Sequence, residues 1–181
     1  MDDQGLFIET ERLLLRALNI NQLEIYGTDM GVLGHHLGIK MLGDNRPIKA
    51  LHAVNLILED MCATPPQDHP WLTYWLIVPK AESVGAGIIG FRGPPDSHGR
   101  VVIGYGIHPA CQNKGYMTEA LKALAAWAFL NPACKIIVAE VLQNNLASIR
   151  VLEKAGAQRV KTYNSLYRYH ILRPSPPLSS G

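Results

Sequence analysis

Cysteine is scarce in this chain: three residues, Cys62, Cys111 and Cys134, odd in number and far apart. They fit neither a disulfide framework nor the paired spacing of zinc ligands, so a reducing compartment and a site without metal are expected. An excess of charge of one sign is also missing. Seventeen basic residues are set against fifteen acidic ones, a formal net charge of +2. Nucleic-acid binding ordinarily needs a basic face or tail, so no such partner is expected, and a polyanionic ligand has to be met by a local device. No stretch approaches about 18 uninterrupted apolar residues, which argues against a membrane-spanning helix. Residues 1–20 lack a basic segment followed by an apolar one, so no secretory leader is expected and a cytoplasmic location is. Neither G-x-x-x-x-G-K-[ST] nor G-x-S-x-G occurs, which leaves phosphate-loop NTPase and hydrolase readings without support.

What is present suffices for a folded core: 181 residues, 48% of them apolar. That length predicts a single domain over residues 1–173, with a frayed Pro/Ser-rich tail over 174–181. Glu11 to Leu18 reads as a first strand, and Asn19 or Asn21 as the N-cap of a following helix. Residues 27–46 hold five glycines and read as irregular structure. Pro47 can open a helix on which Ile48, Leu51, Val54, Leu58 and Met61 recur at helical spacing until Pro65 and Pro66. Trp71–Val78, Val84–Phe91 and Val101–Ile107 read as strands of an antiparallel meander. The pattern then changes. Met117, Ala120, Leu121, Leu124 and Ala128 trace a helix face, and Lys135–Val141 is a strand. A helix over Leu146–Ala155 is closed by Gly156, and strands near Ala157–Thr162 and Leu166–Leu172 follow. Together these predict an α/β (α+β) fold, a single mixed, mostly antiparallel twisted sheet flanked by helices.

Several patterns carry less than they offer. Gly85-Ala-Gly87-Ile-Ile-Gly90 satisfies the dinucleotide fingerprint, but that fingerprint needs a helix to start within the glycines. Here they lie inside an apolar strand, and Pro94-Pro95 follows, so a bend in a strand is expected instead of NAD or ATP binding. His35 and His36 adjoin in sequence without a partner at metal-ligand spacing and read as exposed. Cys111 reads as a packing residue and not as a nucleophile.

The informative stretch is VVIGYGIHPACQNKGYMTEALKALAAWA, from Val101 to Ala128. It places the loop Cys111-Gln112-Asn113-Lys114-Gly115-Tyr116-Met117 between a strand and a helix. A helix N-terminus leaves backbone N–H groups unpaired and carries about half a positive charge. Gly115 lets a bulky anion approach the backbone, and Lys114 adds a full charge, a local device for a pyrophosphate. An ordinary capped helix is the alternative from spacing alone.

Gln112-x-x-Gly115-x-Met117 after GYGIHP resembles the acetyl-CoA loop, [QR]-x-x-G-x-[GA], of the GNAT N-acetyltransferase superfamily. Asn145-Leu-Ala-Ser148-Ile-Arg-Val-Leu-Glu-Lys154-Ala-Gly156 resembles the family's N-x-x-S-x-x-x-x-x-K-x-G segment. ETERLLLRAL is similar to the first strand of the branch containing the ribosomal-protein N-terminal acetyltransferases. The similarity covers about residues 9 to 172. It implies the GNAT fold and an acetyl-CoA-dependent transfer of acetyl to a primary amine, with coenzyme A as product. It also implies that Ile107 and His108 offer backbone groups to the pantetheine arm. The segment Gln112, Asn113, Lys114, Gly115, Tyr116 and Met117 would hold the pyrophosphate, Lys154 would help bind the cofactor, and Asn145 and Ser148 would lie near the acetyl group and sulfur. Ser148 or a tyrosine would protonate the departing thiolate.

Two positions depart from the family pattern. Met117 stands where a small residue is common, and Val102 stands where many members carry a glutamate acting as base through water. A lysine-like amine with pKa near 10.4 is only about 0.04% neutral at pH 7, a cost of roughly 4.6 kcal/mol, whereas an α-amine near 7.7 is roughly 15% neutral at a cost near 1 kcal/mol. A site without that base suits an α-amine, such as a protein N-terminus, or recruits Glu140 or His108. A phenol from Tyr167 or Tyr169 could also face the site. Residues 27–46 and the helix from Pro47 are expected to shape the acceptor pocket. A non-catalytic acyl-CoA sensor domain, or a transferase for a polyamine or antibiotic, is the alternative, and the protein is expected as a monomer or homodimer.

Overall fold

The computed structural model describes residues 5–43, 46 and 48–174; Pro47 and residues 175–181 of the expected tail lie outside the described residues. The chain begins with a short strand not anticipated from sequence, β1 (Phe7–Glu9), then β2 (Leu13–Ala17), α1 (Ile20–Thr28), α2 (Met30–Leu37) and β3 (Lys40–Met41). Next come α3 (Ile48–Ala63), β4 (Trp75–Pro79), β5 (Val84–Gly85), β6 (Gly87–Phe91) and β7 (Arg100–Ile107). The remaining elements are α4 (Tyr116–Ala128), β8 (Ile136–Leu142), α5 (Leu146–Lys154), β9 (Gln158–Tyr163) and β10 (Leu166–Leu172). Eight strands form one sheet in the order β1-β2-β4-β6-β7-β8-β10-β9, and β3 and β5 form a separate two-stranded pair. Within the large sheet only β7 and β8 run parallel. The mixed, mostly antiparallel sheet flanked by helices is the architecture expected from sequence.

Period-2 alternation divides the interior between the two faces of the sheet. On β4, Trp75 and Ile77 join the core beneath α4 and α5, where Ala120, Leu121, Leu124 and Leu152 pack. Leu76 and Val78 join the opposite core with Leu23 and Tyr26 of α1, Leu33 of α2, and Val54 and Met61 of α3. Being covered on both sides, β4 is an unbroken apolar run, WLIVP, all buried.

Three local expectations need correction. The segment 27–46 is not simply irregular, because it contains α2. Asp29 caps that helix by accepting from the Gly31 and Val32 N–H groups at 2.7 and 3.0 Å, and Gly38 ends it at φ +67°. Glycine content hid a short helix whose stability comes from its caps and from burial of Leu33. The expected strand Trp71–Val78 starts at Trp75, since Pro66–Trp71 forms a 3-10 turn. The expected strand Val84–Phe91 is interrupted at Ala86, whose N–H donates to Ile77 O at 2.8 Å, so that β5 pairs with β3 and β6 lies between β4 and β7. Elsewhere Asn19 is the N-cap, in a capping box with Gln22.

Among the described residues no helix is long and apolar enough to cross a membrane, and no three His, Cys, Asp or Glu side chains are grouped to hold a metal ion. His35 and His36 are exposed near the end of α2.

Candidate functional site

The parallel pair β7–β8 is joined over only three residue pairs. Its register runs Arg100↔Ile136, Val101↔Ile137, Val102↔Val138 and then stops, although β7 continues to Ile107 and β8 to Leu142. On β7 the Val102 carbonyl accepts from Arg92 N–H and the His108 N–H donates to Ala86 O at 2.8 Å, so even-numbered residues turn their backbone toward β6. The ladder alternates. Tyr105 and Ile107 therefore direct N–H and C=O into the gap left by β8. On β8 the odd-numbered residues pair with β10, as the Gln143 N–H donating to Ser165 O continues, and Glu140 faces the same gap with its backbone. The result is a slot with polar walls about 13 Å long, from four residue steps of roughly 3.3 Å each.

Both helix starts that follow these strands flank the slot's open end. After β7, a 3-10 turn over Pro109–Cys111 leads to the loop expected to hold an anion. Asn113 has φ +61° and Gly115, the N-cap of α4, has φ +80°. No side chain caps α4. A longer side chain at Gly115 would have its Cβ 3.3 Å from Arg12 Nη2, so the residue is needed for its conformation and for access. Met117 is buried in the core beneath α4, which explains how a large residue fits the family's small position: it points away from the loop.

The loop is tied down by residues that sequence spacing did not single out. The Arg12 Nη1 donates to Lys114 O at 3.0 Å. Its Nε donates to Glu119 Oε2 at 2.7 Å, and its backbone N–H and the Thr10 hydroxyl both donate to Glu119 Oε1, at 3.0 and 2.6 Å. Burial pushes the Glu119 pKa up, but these hydrogen bonds from Thr10 and Arg12 outweigh it and hold the carboxyl below its ordinary value. A pKa lower in the folded than in the unfolded state gives stability that is complete above the unfolded value and is lost as pH falls through the folded one. Glu119→Gln is expected to cost about 1–2 kcal/mol at pH 7, discounted for the half-exposed Arg12. Thermal melts should show that difference shrinking below about pH 4, near the unfolded carboxylate pKa. A difference independent of pH would refute the ionic account.

On the loop's outer side Glu82 receives hydrogen bonds from Lys114 Nζ at 2.9 and 3.1 Å and from the Tyr116 hydroxyl at 2.8 Å. Lys114 and then Tyr116 hold the Glu82 pKa down, and Glu82 in turn raises theirs. Nothing in the turn after Pro79 marked Glu82 as a partner of a residue 32 positions on. Burial raises the thiol pKa of Cys111, in keeping with packing and not nucleophilic use.

Across the slot, Asn145 caps α5, its Oδ1 accepting the Ser148 N–H at 3.1 Å. The Tyr105 hydroxyl donates to Ser148 O at 3.3 Å, which ties β7 to the first turn of α5, and burial pushes the tyrosine pKa up to about 12. No described residue holds the Ser148 hydroxyl. Glu140 lies on β8 two residues beyond the last β7 partner. The Tyr163 hydroxyl donates to it, as do Arg168 Nη2 and Nε at 2.7 and 3.1 Å. The Tyr163 bond, then Arg168, hold its carboxyl below the ordinary range. His108 caps the 3-10 turn, its Nδ1 accepting the Ala110 N–H at 3.2 Å, and its own backbone N–H is taken by Ala86. Lys154 lies in the last turn of α5, about 12 Å along the axis from the first residue of that helix. The structure sets the backbone of Ile107 and Glu140 beside the gap, with the 112–117 loop and the first turn of α5, holding Asn145 and Ser148, at the helix starts that follow the two strands, and Lys154 in the last turn of α5.

The large sheet parts between two parallel strands, and an uncapped helix start follows the end of the gap, an arrangement suited to an elongated ligand with an anionic end. The acetyltransferase (GNAT) domain family matches residues 12–158, and the chain belongs to that family. The uncharacterized N-acetyltransferase YjdG of Bacillus subtilis is 37% identical over 82 residues, 45% of this chain and 49% of that protein, so the match spans about half the length of this curated relative. A GNAT-family acetyltransferase from Bacillus anthracis superposes with a TM-score of 0.62 at 23% identity, over 93% of this chain and 99% of that one. RimL, a ribosomal L7/L12 alpha-N-protein acetyltransferase solved with coenzyme A, gives 0.66 at 16% identity, over 92% and 98%. At such identities the two structures establish the fold.

Proposed function

We propose that this chain is an acetyl-CoA-dependent N-acetyltransferase acting on an α-amine, with a protein N-terminus as the favoured acceptor. The parting of β7 and β8 at Val102↔Val138 carries the reading, because it leaves backbone donors and acceptors unpaired beside an uncapped helix start. The residues present fit the cofactor: the Gln112–Met117 amides and Lys114 suit a pyrophosphate, and the backbone of Tyr105, Ile107 and Glu140 suits the amide groups of a pantetheine arm. Acetyl-CoA supplies an activated acyl carbon. The protein then orients the amine and offers backbone N–H groups to the carbonyl oxygen. Asn145 fixes the first turn of α5, and the Ser148 hydroxyl passes to the departing sulfur the proton that the attacking nitrogen gives up as the amide forms. Val102 cannot take a proton. Glu140, kept ionised by Tyr163 and Arg168, steers the cationic amine and is a weak proton acceptor, so the acceptor must arrive partly neutral, as an α-amine does.

The test is thiol release from acetyl-CoA with peptide α-amines, lysine-type amines and polyamines. Peptide α-amines are expected to react at least about tenfold better than lysine-type amines, as their larger neutral fraction requires. Ser148→Ala should lower kcat by about tenfold or more with acetyl-CoA affinity kept, the loss expected of a positioned proton donor. Glu140→Gln should raise KM for the amine severalfold without moving the pH profile. A moved profile would make Glu140 the base. The second reading, an acyl-CoA sensor, is favoured by Val102; it requires acetyl-CoA to raise the melting temperature while no amine yields thiol.

A further inference from the structure

On the side of the sheet that carries α3, a hollow of about 540 Å³ runs along β6 and β7 from Tyr74 and Ile88 to Gly104 and Gly106. A second, of about 360 Å³, lies around Val102, Val138 and Glu140. One side chain lines both: Arg92, immediately beyond β6, with its backbone N–H on Val102 O. It therefore stands beside the position where many family members place a glutamate. Two of the three acids that line the hollows are paired with other residues. Asp96 is paired with Arg100 at 3.1 Å and Glu140 with Arg168 at 2.7 Å, and the remaining acid of the larger hollow, Asp60 of α3, makes no ion pair with Arg92 within 4.0 Å. Arg92 has neither a salt bridge nor a side-chain hydrogen bond to any described residue. Its charge is nonetheless felt, since it contributes to lowering the Glu140 pKa after Tyr163 and Arg168.

A guanidinium without a salt bridge to any described residue, at the residue that lines both hollows, suits an anion that comes with the acceptor. We infer that Arg92 selects the acceptor: it binds a carboxylate carried close to the reacting α-amine, while Glu140 draws the ammonium end. This rests on the transferase reading and gives its substrate class, an acidic α-amine compound. The carboxylate can come from an Asp or Glu side chain near a peptide N-terminus or from the α-carboxylate of a free amino acid.

Steady-state acetylation separates these possibilities. Peptides differing only in Asp, Ala or Lys at the second residue, and free amino acids, are compared for the wild type, Arg92→Lys, Arg92→Ala and Arg92→Glu. The wild type is expected to favour the Asp peptide or the free amino acid over the Ala and Lys peptides by about tenfold or more in kcat/KM, as a charge-assisted hydrogen bond allows. The preference should appear in KM and weaken with added salt. Arg92→Lys should keep part of it, and Arg92→Ala should lose it. Arg92→Glu should reverse it toward the Lys peptide, with acetyl-CoA affinity unchanged in every variant. Free amino acids alone reacting would name the α-carboxylate as the source. Turnover by the wild type without regard to acceptor charge, or preference retained in Arg92→Glu, overturns this inference and leaves the transferase reading standing. No turnover of any amine overturns both.

Discussion

Replacing Gly115 by valine is expected to raise the dissociation constant for acetyl-CoA by about 30- to 150-fold. Two effects add. Gly115 sits at φ +80°, where a β-branched side chain is strained, and its Cβ would stand 3.3 Å from Arg12 Nη2 on the loop proposed to hold the cofactor's pyrophosphate. Together they amount to about 2–3 kcal/mol of lost binding, which converts to that range of affinity. Calorimetric titration with acetyl-CoA measures it. Asn113 is the control: it also has positive φ, at +61°, but asparagine tolerates that region, so Asn113→Gly should leave affinity within about twofold. Unchanged binding in Gly115→Val would mean that the cofactor's anion lies elsewhere, and the reading of this loop would fall with it.

Gly87→Ala should destabilise the fold by about 3 kcal/mol. A Cβ at Gly87 would stand 2.3 Å from Gly106 O and 2.8 Å from Ile107 Cα, both backbone atoms of the neighbouring strand. Neither can swing aside as a flexible side chain would, so β6 and β7 must separate, and overpacking of this kind costs roughly 1–3 kcal/mol or more. The melting temperature should fall by about 6–12 °C for a domain of this size. Because Ile107 lines the slot, acetyl-CoA should bind more weakly in the variant that does fold. The same experiment settles the G-x-G-x-x-G pattern at residues 85–90. Those glycines permit close strand approach, and NAD should bind neither the wild type nor the variant. An unaltered melting temperature would sink the packing argument.

Legibility followed locality. The end of α5 at Gly156, with φ +85°, was readable because a helix end needs one glycine. The loop before α4 was readable for the same reason, as was the face of Ala120, Leu121 and Leu124, which lies in the core as its spacing requires. The caps of α2 were present in the sequence too, as Asp29 and Gly38, but five glycines over 27–46 outweighed them. The strand Val84–Phe91 read as continuous because composition cannot show that Ala86 changes partners.

What the order of residues decided alone was therefore the mixed α/β class, most of the helices and strands, and the chemistry available at two helix starts, since each depends on neighbours within a turn or a strand pair. Tertiary structure decided where β7 and β8 part company. That boundary lies between Val102 and Val138, residues 36 apart, and follows from register and twist summed across the sheet. It also decided that Glu119 is held by Arg12 from 107 positions away, that Glu82 holds Lys114, and that Glu140 is claimed by Arg168. Charges interact through space, over distances set by how strands are ordered in the sheet, and that order puts β2 beside β4 and β7 beside β8 whatever separates them along the chain.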